Sequence, residues 1–303
     1  MSVLPGDNLR SRWARIGALA GLAACLVLAI PAAAASASQS NSSGSSSAVP
    51  SLEALVPAAV RQVGTVTVPV DSDYPPFEYL GSNGVETGLS ADLMRAAFAL
   101  LGLTPKVEIV DFDSIIPGFA AKRYLTSMAS INVTPERAKV VDFVTYDRGG
   151  DSFYENSSST LKVAGSYAAI CGQTVAVEEG SEQASTAEAE AAHCKSIGKP
   201  ANILQYTAQA SVNLAVQSNR AAFGIADNAT VGYLIKVTDG KFKLAAPAFN
   251  FTSVTGWAVA KTSGLAVPLQ AALKYMISHG TYQAIFDKWG LESGELANPQ
   301  IVS

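Results

Sequence analysis

Thr65-Val66-Thr67-Val68-Pro69-Val70-Asp71-Ser72-Asp73-Tyr74-Pro75-Pro76-Phe77-Glu78-Tyr79 reads as a β-rich run that ends in a site. The β-branched residues favour extended backbone up to Val70. The prolines fix φ and hold the residues before them extended, so Tyr74 and Phe77 are presented on a stiff backbone rather than on a helix. In open α/β sheets a small ligand docks outside the carboxyl ends of the strands, where this segment would lie. Stiff aromatics beside carboxylates suit a small polar ligand with apolar parts. The alternative is an aromatic turn packed into a core, because Tyr and Phe are core residues more often than ligand walls.

Outward from this stretch, strand-like and helix-like segments alternate, which indicates an α/β protein. Ser90 is expected to cap a helix over 91–101, with Leu93, Met94, Ala97, Phe98 and Leu101 on one face and Gly102 as its stop. A buried strand is expected over 107–110, a short helix over 114–121 and a strand over 125–131. Thr134-Pro135-Glu136-Arg137 opens a further helix, with Thr134 as N-cap and Pro135 at the first helical position. Ser152-Phe153-Tyr154 reads as a crossing strand and residues 155–160 as a polar loop. A second α/β unit follows, with strands over 174–177, 203–205 and 222–226 and helices over 181–192 and 208–217. A strand over 256–260 and a helical region over 265–289 complete the chain.

The 303 residues, 49% hydrophobic, are enough for two domains with sizeable cores. Arg10, Arg12 and Arg15 precede an apolar run from Ile16 to Ala35, and small residues follow through Ala37, the pattern of a signal peptide over 1–37. Leu22-Ala23-Ala24-Cys25 resembles the lipobox of bacterial lipoproteins, which would tether the protein through Cys25. The apolar run continues past Cys25, which favours plain export, and a retained anchor is a third reading because the run is just long enough to span a bilayer. Residues 38–59 are expected to be a Ser/Ala-rich linker, too poor in apolar side chains to offset the entropy of ordering. Without the leader, 18 basic residues face 24 acidic ones, a net charge of −6. An acidic balance without basic clusters argues against nucleic acid as a partner, and no nucleotide-binding loop points to a cofactor.

Cys171 and Cys194 remain as an even pair in an exported protein, so a disulfide is expected, worth roughly 3 kcal/mol on the chain-entropy account. A metal site with His193 is the alternative. Two Cys and one adjacent His make a poor zinc tetrahedron, and His279 is the only other imidazole, so no metal is expected.

Together with Phe112-Asp113-Ser114-Ile115-Ile116-Pro117-Gly118 and Asn132-Val133-Thr134-Pro135-Glu136-Arg137-Ala138-Lys139-Val140-Val141-Asp142-Phe143, the opening stretch resembles the family 3 solute-binding proteins. These are the extracytoplasmic receptors of amino-acid ABC transporters. The likeness runs from about Val63 to Trp289, with its blocks in the family's order and spacing. The region from Cys171 to Cys194 and the ending from Gly280 to Gly290 are similar to secreted actinobacterial members. The resemblance implies a two-lobed periplasmic-binding-protein fold of type II, with two hinge strands and ligand trapped by closure. Lobe 1 would comprise 60–151 and 253–303, and lobe 2 would comprise 152–252.

Roles carry over residue by residue as implications of that resemblance. Arg137 matches the guanidinium that grips the ligand α-carboxylate through its planar fork, or is an exposed helix charge. Asp227 matches the carboxylate that receives the α-ammonium, or is the N-cap of the following helix. Tyr74 matches the stacking aromatic, with Phe77 and Phe112 as candidate walls. Asp71 matches the position that meets the distal cation in receptors for basic amino acids, or caps the turn beside the prolines. Ser130 and Asn132 match polar contacts to the carboxylate, Asn132 donating through its amide. Gly180 and Ser181 match the start of a helix whose free N–H groups point at that carboxylate.

Three departures stand out. Glu182 replaces a Thr, which puts a negative charge near the expected carboxylate or simply suits the helix dipole. Leu125 and Thr126 replace Asp-Ala, and Asp147 and Arg148 replace small polar residues. Arg148 in the cleft would pair with an acidic ligand side chain, whereas Asp71 and Glu182 favour a basic one, and the residues leave the choice open. The function expected is that of a monomeric, non-enzymatic receptor that passes an amino acid to an ABC permease and its ATPase. The alternative is a secreted enzyme on the same fold, such as a cyclohexadienyl dehydratase, with Glu78 or Glu182 as an acid raised by burial.

Overall fold

The computed structural model describes residues 48–303. The leader, Cys25 and residues 38–47 lie outside the described residues. The rest of the expected linker folds: Pro50–Glu53 and Ala58–Val63 are helices, and Leu52 and Val56 are buried in the core of the first lobe. Unlike residues 38–47, residues 48–59 are mostly apolar, and Leu52 and Val56 anchor them to that core.

Thr65–Val70 pairs in parallel with Thr104–Ile109, from Thr65 opposite Thr104 to Val70 opposite Ile109. Their sheet carries Val66, Val68 and Val70 into a core shared with Leu93, Met94, Phe98, Phe143, Trp257 and Met276. Each such side chain, fully buried, contributes about 1.5–3 kcal/mol. Thr104–Ile109 is longer and wetter than the buried strand expected at 107–110, because it lies at the sheet edge with no residue fully covered. The helix expected to begin at Ala91 runs over Leu89–Leu100. Gly88 sets that start: its φ of +126° and its contact with the Phe77 carbonyl exclude a side chain. The first free amides then donate to the carbonyls of Pro76 and Phe77, at 2.9 and 3.0 Å from Leu89 and Ser90. Ser90 is therefore inside the helix, its hydroxyl bonded to the Tyr146 hydroxyl at 2.7 Å. Between 125 and 131 the expected strand is mostly irregular, with an isolated bridge from Thr126 to Val259 and a two-residue strand, Ile131–Asn132.

Two long strands run through both lobes, Val141–Asn156 and Phe249–Ala260, antiparallel from Val141 opposite Ala260 to Asp151 opposite Phe249. Both exceed the short strands expected at 152–154 and 256–260. In the second lobe Phe223–Asp227 adds to Val141–Asn156, followed by Thr174–Glu178 and Asn202–Tyr206, the last three mutually parallel. Helix Glu182–Ser196 packs one face of this sheet on Val175, Val177, Phe223 and Ile225. Helix Gln209–Gln217 covers the other face, against Ala176 and Ala226. The Cys171–Cys194 disulfide, with Cα atoms 5.0 Å apart, fastens the end of the first of these helices to the loop before its sheet. Helices Ala266–Ser278 and Thr281–Trp289 return to the first core.

Candidate functional site

Three strands end on acids that gather at one place. Asp71 directly follows Thr65–Val70, Glu178 is the last residue of Thr174–Glu178, and Asp227 is the last residue of Phe223–Asp227. Side chains at strand carboxyl ends face the crevice where α/β proteins bind ligands. Glu178 and Asp227 line a small, nearly closed cavity of ≈ 20 Å³, about the space of a single water, so a ligand enters only as the walls part. Seven of the ten residues singled out in the sequence lie on its wall: Tyr74, Phe112, Ser130, Asn132, Arg137, Ser181 and Asp227.

The Tyr74 hydroxyl donates to Asp227 Oδ2 at 2.7 Å and accepts the Asp227 amide at 3.1 Å. Asp227 stands at the N-cap position of helix Asn228–Val237, yet its side chain makes no capping bond and turns into the cavity. There its other oxygen accepts the Gln183 amide at 3.2 Å. Burial pushes its carboxyl up to about 6, with the Tyr74 hydroxyl acting against the rise.

Arg137 is held by a short helix that begins as the sequence indicates. Pro135–Ala138 has Pro135 first, and Thr134 Oγ1 accepts the Arg137 amide at 3.3 Å. The guanidinium donates to the carbonyls of Asn132 at 2.6 Å and Gly180 at 2.8 Å, and it lies 5.6 Å from the centre of the Phe112 ring. Gly180 does not line the cavity. Its φ is +76°, and a Cβ there would meet the Cα of Asp113 at 2.8 Å, so its backbone passes hard against the other lobe. Ser181 caps its own helix, accepting the Ala184 amide at 2.9 Å and donating to the Glu178 carbonyl at 2.7 Å.

Gly180, Phe77 and Asp71 are the three of the ten that lie off this wall. Phe77 is buried behind Tyr74, ring centres 6.1 Å apart, and borders a different cavity of ≈ 290 Å³ with Arg148, Lys236 and Trp289. Arg148 borders that second cavity, which Asp227 shares, and not the first, which Glu182 lines. Glu78 is also outside: its Oε1 accepts the Ser130 amide at 2.7 Å beneath the cavity floor, and burial drives its carboxyl far above the usual range.

Asp71 is buried beside Glu178 rather than on the wall. Burial and then the Asp73 charge push its carboxyl up to about 7, and Glu178 is raised strongly by burial and by Asp71. The two carboxyls bond each other, so they share a proton, and Asp71 Oδ2 and Glu178 Oε1 are buried with no partner beyond that contact. Asp73 reaches the opposite lobe, where its Oδ2 accepts the Ala210 amide at 2.7 Å in the first turn of helix Gln209–Gln217. That helix has no side-chain cap of its own.

Glu178, Gln183 and Asp151 were not singled out from the sequence. Asp151 holds Gln183 at 2.9 Å, Asn250 at 2.8 Å and Tyr167 at 3.0 Å, and so orients the amide that meets Asp227. The strand-end position of Glu178 was a usable signal. A neutral amide such as Gln183 carries none.

Comparison with known proteins gives the family and the fold. Residues 66–292 match the bacterial extracellular solute-binding proteins, family 3. The arginine-binding protein ArgT of Corynebacterium glutamicum is 28% identical over 250 residues, 82% of this chain and 81% of that protein. An ancestral arginine-binding protein, solved bound to glutamine, superposes with a TM-score of 0.67 at 27% identity, covering 76% of this chain and 99% of that one. The ancestral amino acid-binding protein AncCDT-1, described as a precursor of cyclohexadienyl dehydratase, gives 0.65 at 27% identity, over 76% and 97%. Among the described residues no helix is long and apolar enough to cross a membrane. By the span of the family match and the two-lobed type II architecture, the chain belongs to the bacterial extracellular solute-binding proteins, family 3.

Proposed function

We propose that this protein is the extracytoplasmic receptor of an ABC transporter. As a monomer it captures a basic amino acid, or an amine closely related to one, between lobe 1 (60–151 and 253–303) and lobe 2 (152–252). The two long strands act as the hinge, and the loaded, closed form docks on a permease served by an ATPase. The observation that carries the reading is the convergence of Arg137 from one lobe with Glu178 and Asp227 from the other on a single small cavity. Burying an amino acid's charged ends needs a partner for each, and a guanidinium fork and a carboxylate supply them. The buried acid pair Asp71 and Glu178, which among the described residues has no cation beside it, favours a ligand whose side chain is cationic. The arginine-binding relative supports the same preference.

A thermal-shift screen against the amino acids, polyamines and small organic acids tests this. A ligand at a hundredfold its Kd stabilises by about 2.7 kcal/mol, which moves the midpoint by several degrees. Arg137→Ala should abolish that shift while leaving the ligand-free midpoint in place. Silence across the panel would sink the reading. An enzymatic role is the weaker alternative, because Glu78 lies below the cavity and only Glu182 of the two candidate acids faces it. Product formation from prephenate or arogenate would reverse that judgement.

A further inference from the structure

Glu182 lines the cavity beside Arg137 and Asn132, the two groups expected to grip a ligand carboxylate. Its Oε2 accepts the Ser253 hydroxyl at 3.3 Å; burial and then the Asp151 charge raise its carboxyl, while Asn132, Ser253 and the Arg137 charge act against the rise. Asn132 is oriented for this, since its Oδ1 is taken by the Thr255 hydroxyl at 3.0 Å, which leaves the NH₂ group for the carboxylates. Arg137 in turn feels Glu182 as the strongest charge acting on it. Groups suited to gripping an incoming carboxylate are thus already facing one that the chain itself supplies.

The charges on the cavity wall point the same way. Arg137 is its one cationic residue, against Glu178, Glu182 and Asp227, with Asp71 directly behind Glu178. Four acids on and behind this wall thus stand against one guanidinium, and a bound cation meets carboxyl groups that it can draw to their ionised forms. Asp71 and Glu178 are more than nine-tenths buried, and Asp71 Oδ2 and Glu178 Oε1 have no partner beyond the contact between the two carboxyls. An amino acid with a basic side chain carries a net charge of one and would bring its own carboxylate up to Glu182. A ligand with two cationic ends and no free carboxylate cancels the wall and meets no like charge.

We propose that the cleft selects dications, amidated or decarboxylated basic amino acids, over the amino acids themselves, and that Glu182 sets this preference by standing beside Arg137 and Asn132, which would otherwise take a ligand carboxylate. The proposal rests on the reading of the cleft as an interlobe capture site.

The test is calorimetric titration of the purified protein with L-arginine, L-argininamide and agmatine. Argininamide differs from arginine only in replacing the carboxylate by a neutral amide of similar size. A like charge brought into a desolvated site is strongly penalised, so argininamide and agmatine are expected to bind at least about tenfold tighter than arginine. Glu182→Gln should narrow or invert that ratio. Glu182→Thr repeats the comparison if the first variant folds poorly, and a thermal midpoint near wild type certifies either one. Arginine binding as tightly as its amide, or a ratio unchanged in folded Glu182 variants, overturns the proposal and leaves the capture reading standing. Silence of all three probes and of every amino acid overturns both.

Discussion

Replacing Tyr74 with Phe deletes one oxygen and asks whether that oxygen holds the cleft shut. The hydroxyl makes two bonds to Asp227, a residue 153 positions away in the other lobe: it donates to Oδ2 at 2.7 Å and accepts the amide at 3.1 Å. A hydrogen bond to a charged group contributes about 1.5–3 kcal/mol, and a neutral one about 0.5–1.5 kcal/mol. Both bonds form only when the lobes are together, and in an open form water satisfies each partner. Their loss therefore falls on closure, and hence on ligand affinity, rather than on global unfolding. Taking the lower bounds, about 2 kcal/mol is lost, a Kd roughly 30-fold weaker. The ring keeps its place against Phe77, so the core of the first lobe is untouched. A second effect follows at Asp227. The hydroxyl holds down a carboxyl that burial has pushed up to about 6, and without it the carboxyl rises further, so binding of a cationic ligand fails at a higher pH than in wild type. Titration calorimetry across the acidic-to-neutral range, with thermal unfolding alongside, reads both effects. Unchanged affinity would refute the argument, and so would a fall of several degrees in the unfolding midpoint with affinity preserved.

The other expectations are more local. Asp73→Ala removes the cross-lobe cap at Ala210, worth about 1 kcal/mol, and should weaken ligand binding about fivefold with little change in midpoint, read by the same calorimetry. Tyr282→Phe strands the Tyr146 carbonyl and the Leu296 amide, each 2.7 Å from the hydroxyl, and should cost about 1–3 kcal/mol of unfolding free energy in urea without altering ligand selectivity. Changing Cys171 and Cys194 together to Ser should lower stability by roughly 3 kcal/mol in the same assay and leave affinity near wild type, since the pair lies away from the cavity. Asp71 at about 7 and Asp227 at about 6 are partly protonated near neutrality when no ligand is bound. A cation draws both to their ionised forms, so binding should release protons, and affinity should fall as pH drops through 7 and 6. Calorimetry in buffers of different ionisation enthalpy measures the release. For the free protein the sign is opposite to that of paired carboxylates. These groups hold more protons folded than unfolded between about pH 4 and 7, so stability falls as pH rises through that window, and Asp71→Asn should flatten the dependence.

What could be read from the chain and what could not differ in the range of the forces involved. Thr134-Pro135 specifies a helix start because the cap, the fixed φ and the first amide lie within four residues, and Arg137 is placed by that start. The acids at 71 and 227 were legible because a strand's end is visible in sequence and ligands bind there. Val141–Asn156 was largely hidden. A period-two pattern needs one wet face and one dry one, and this strand crosses from lobe to lobe with Asp147, Asp151, Ser152 and Glu155 all buried. Polar residues on it face the cleft or other protein rather than solvent, so the alternation breaks where the function begins. The same reason explains Phe77 and Glu178. Whether an aromatic beside a cis Pro75–Pro76 bond faces the cleft or the core depends on Gly88, whose left-handed backbone brings helix Leu89–Leu100 down on the Pro76 and Phe77 carbonyls. Glu178 matters to the cleft because Asp71, 107 positions earlier, stands behind it, and the two buried carboxyls have only each other to share a proton with. Local chemistry sets each half of the cleft, and the charge that the two halves present together belongs to neither segment alone.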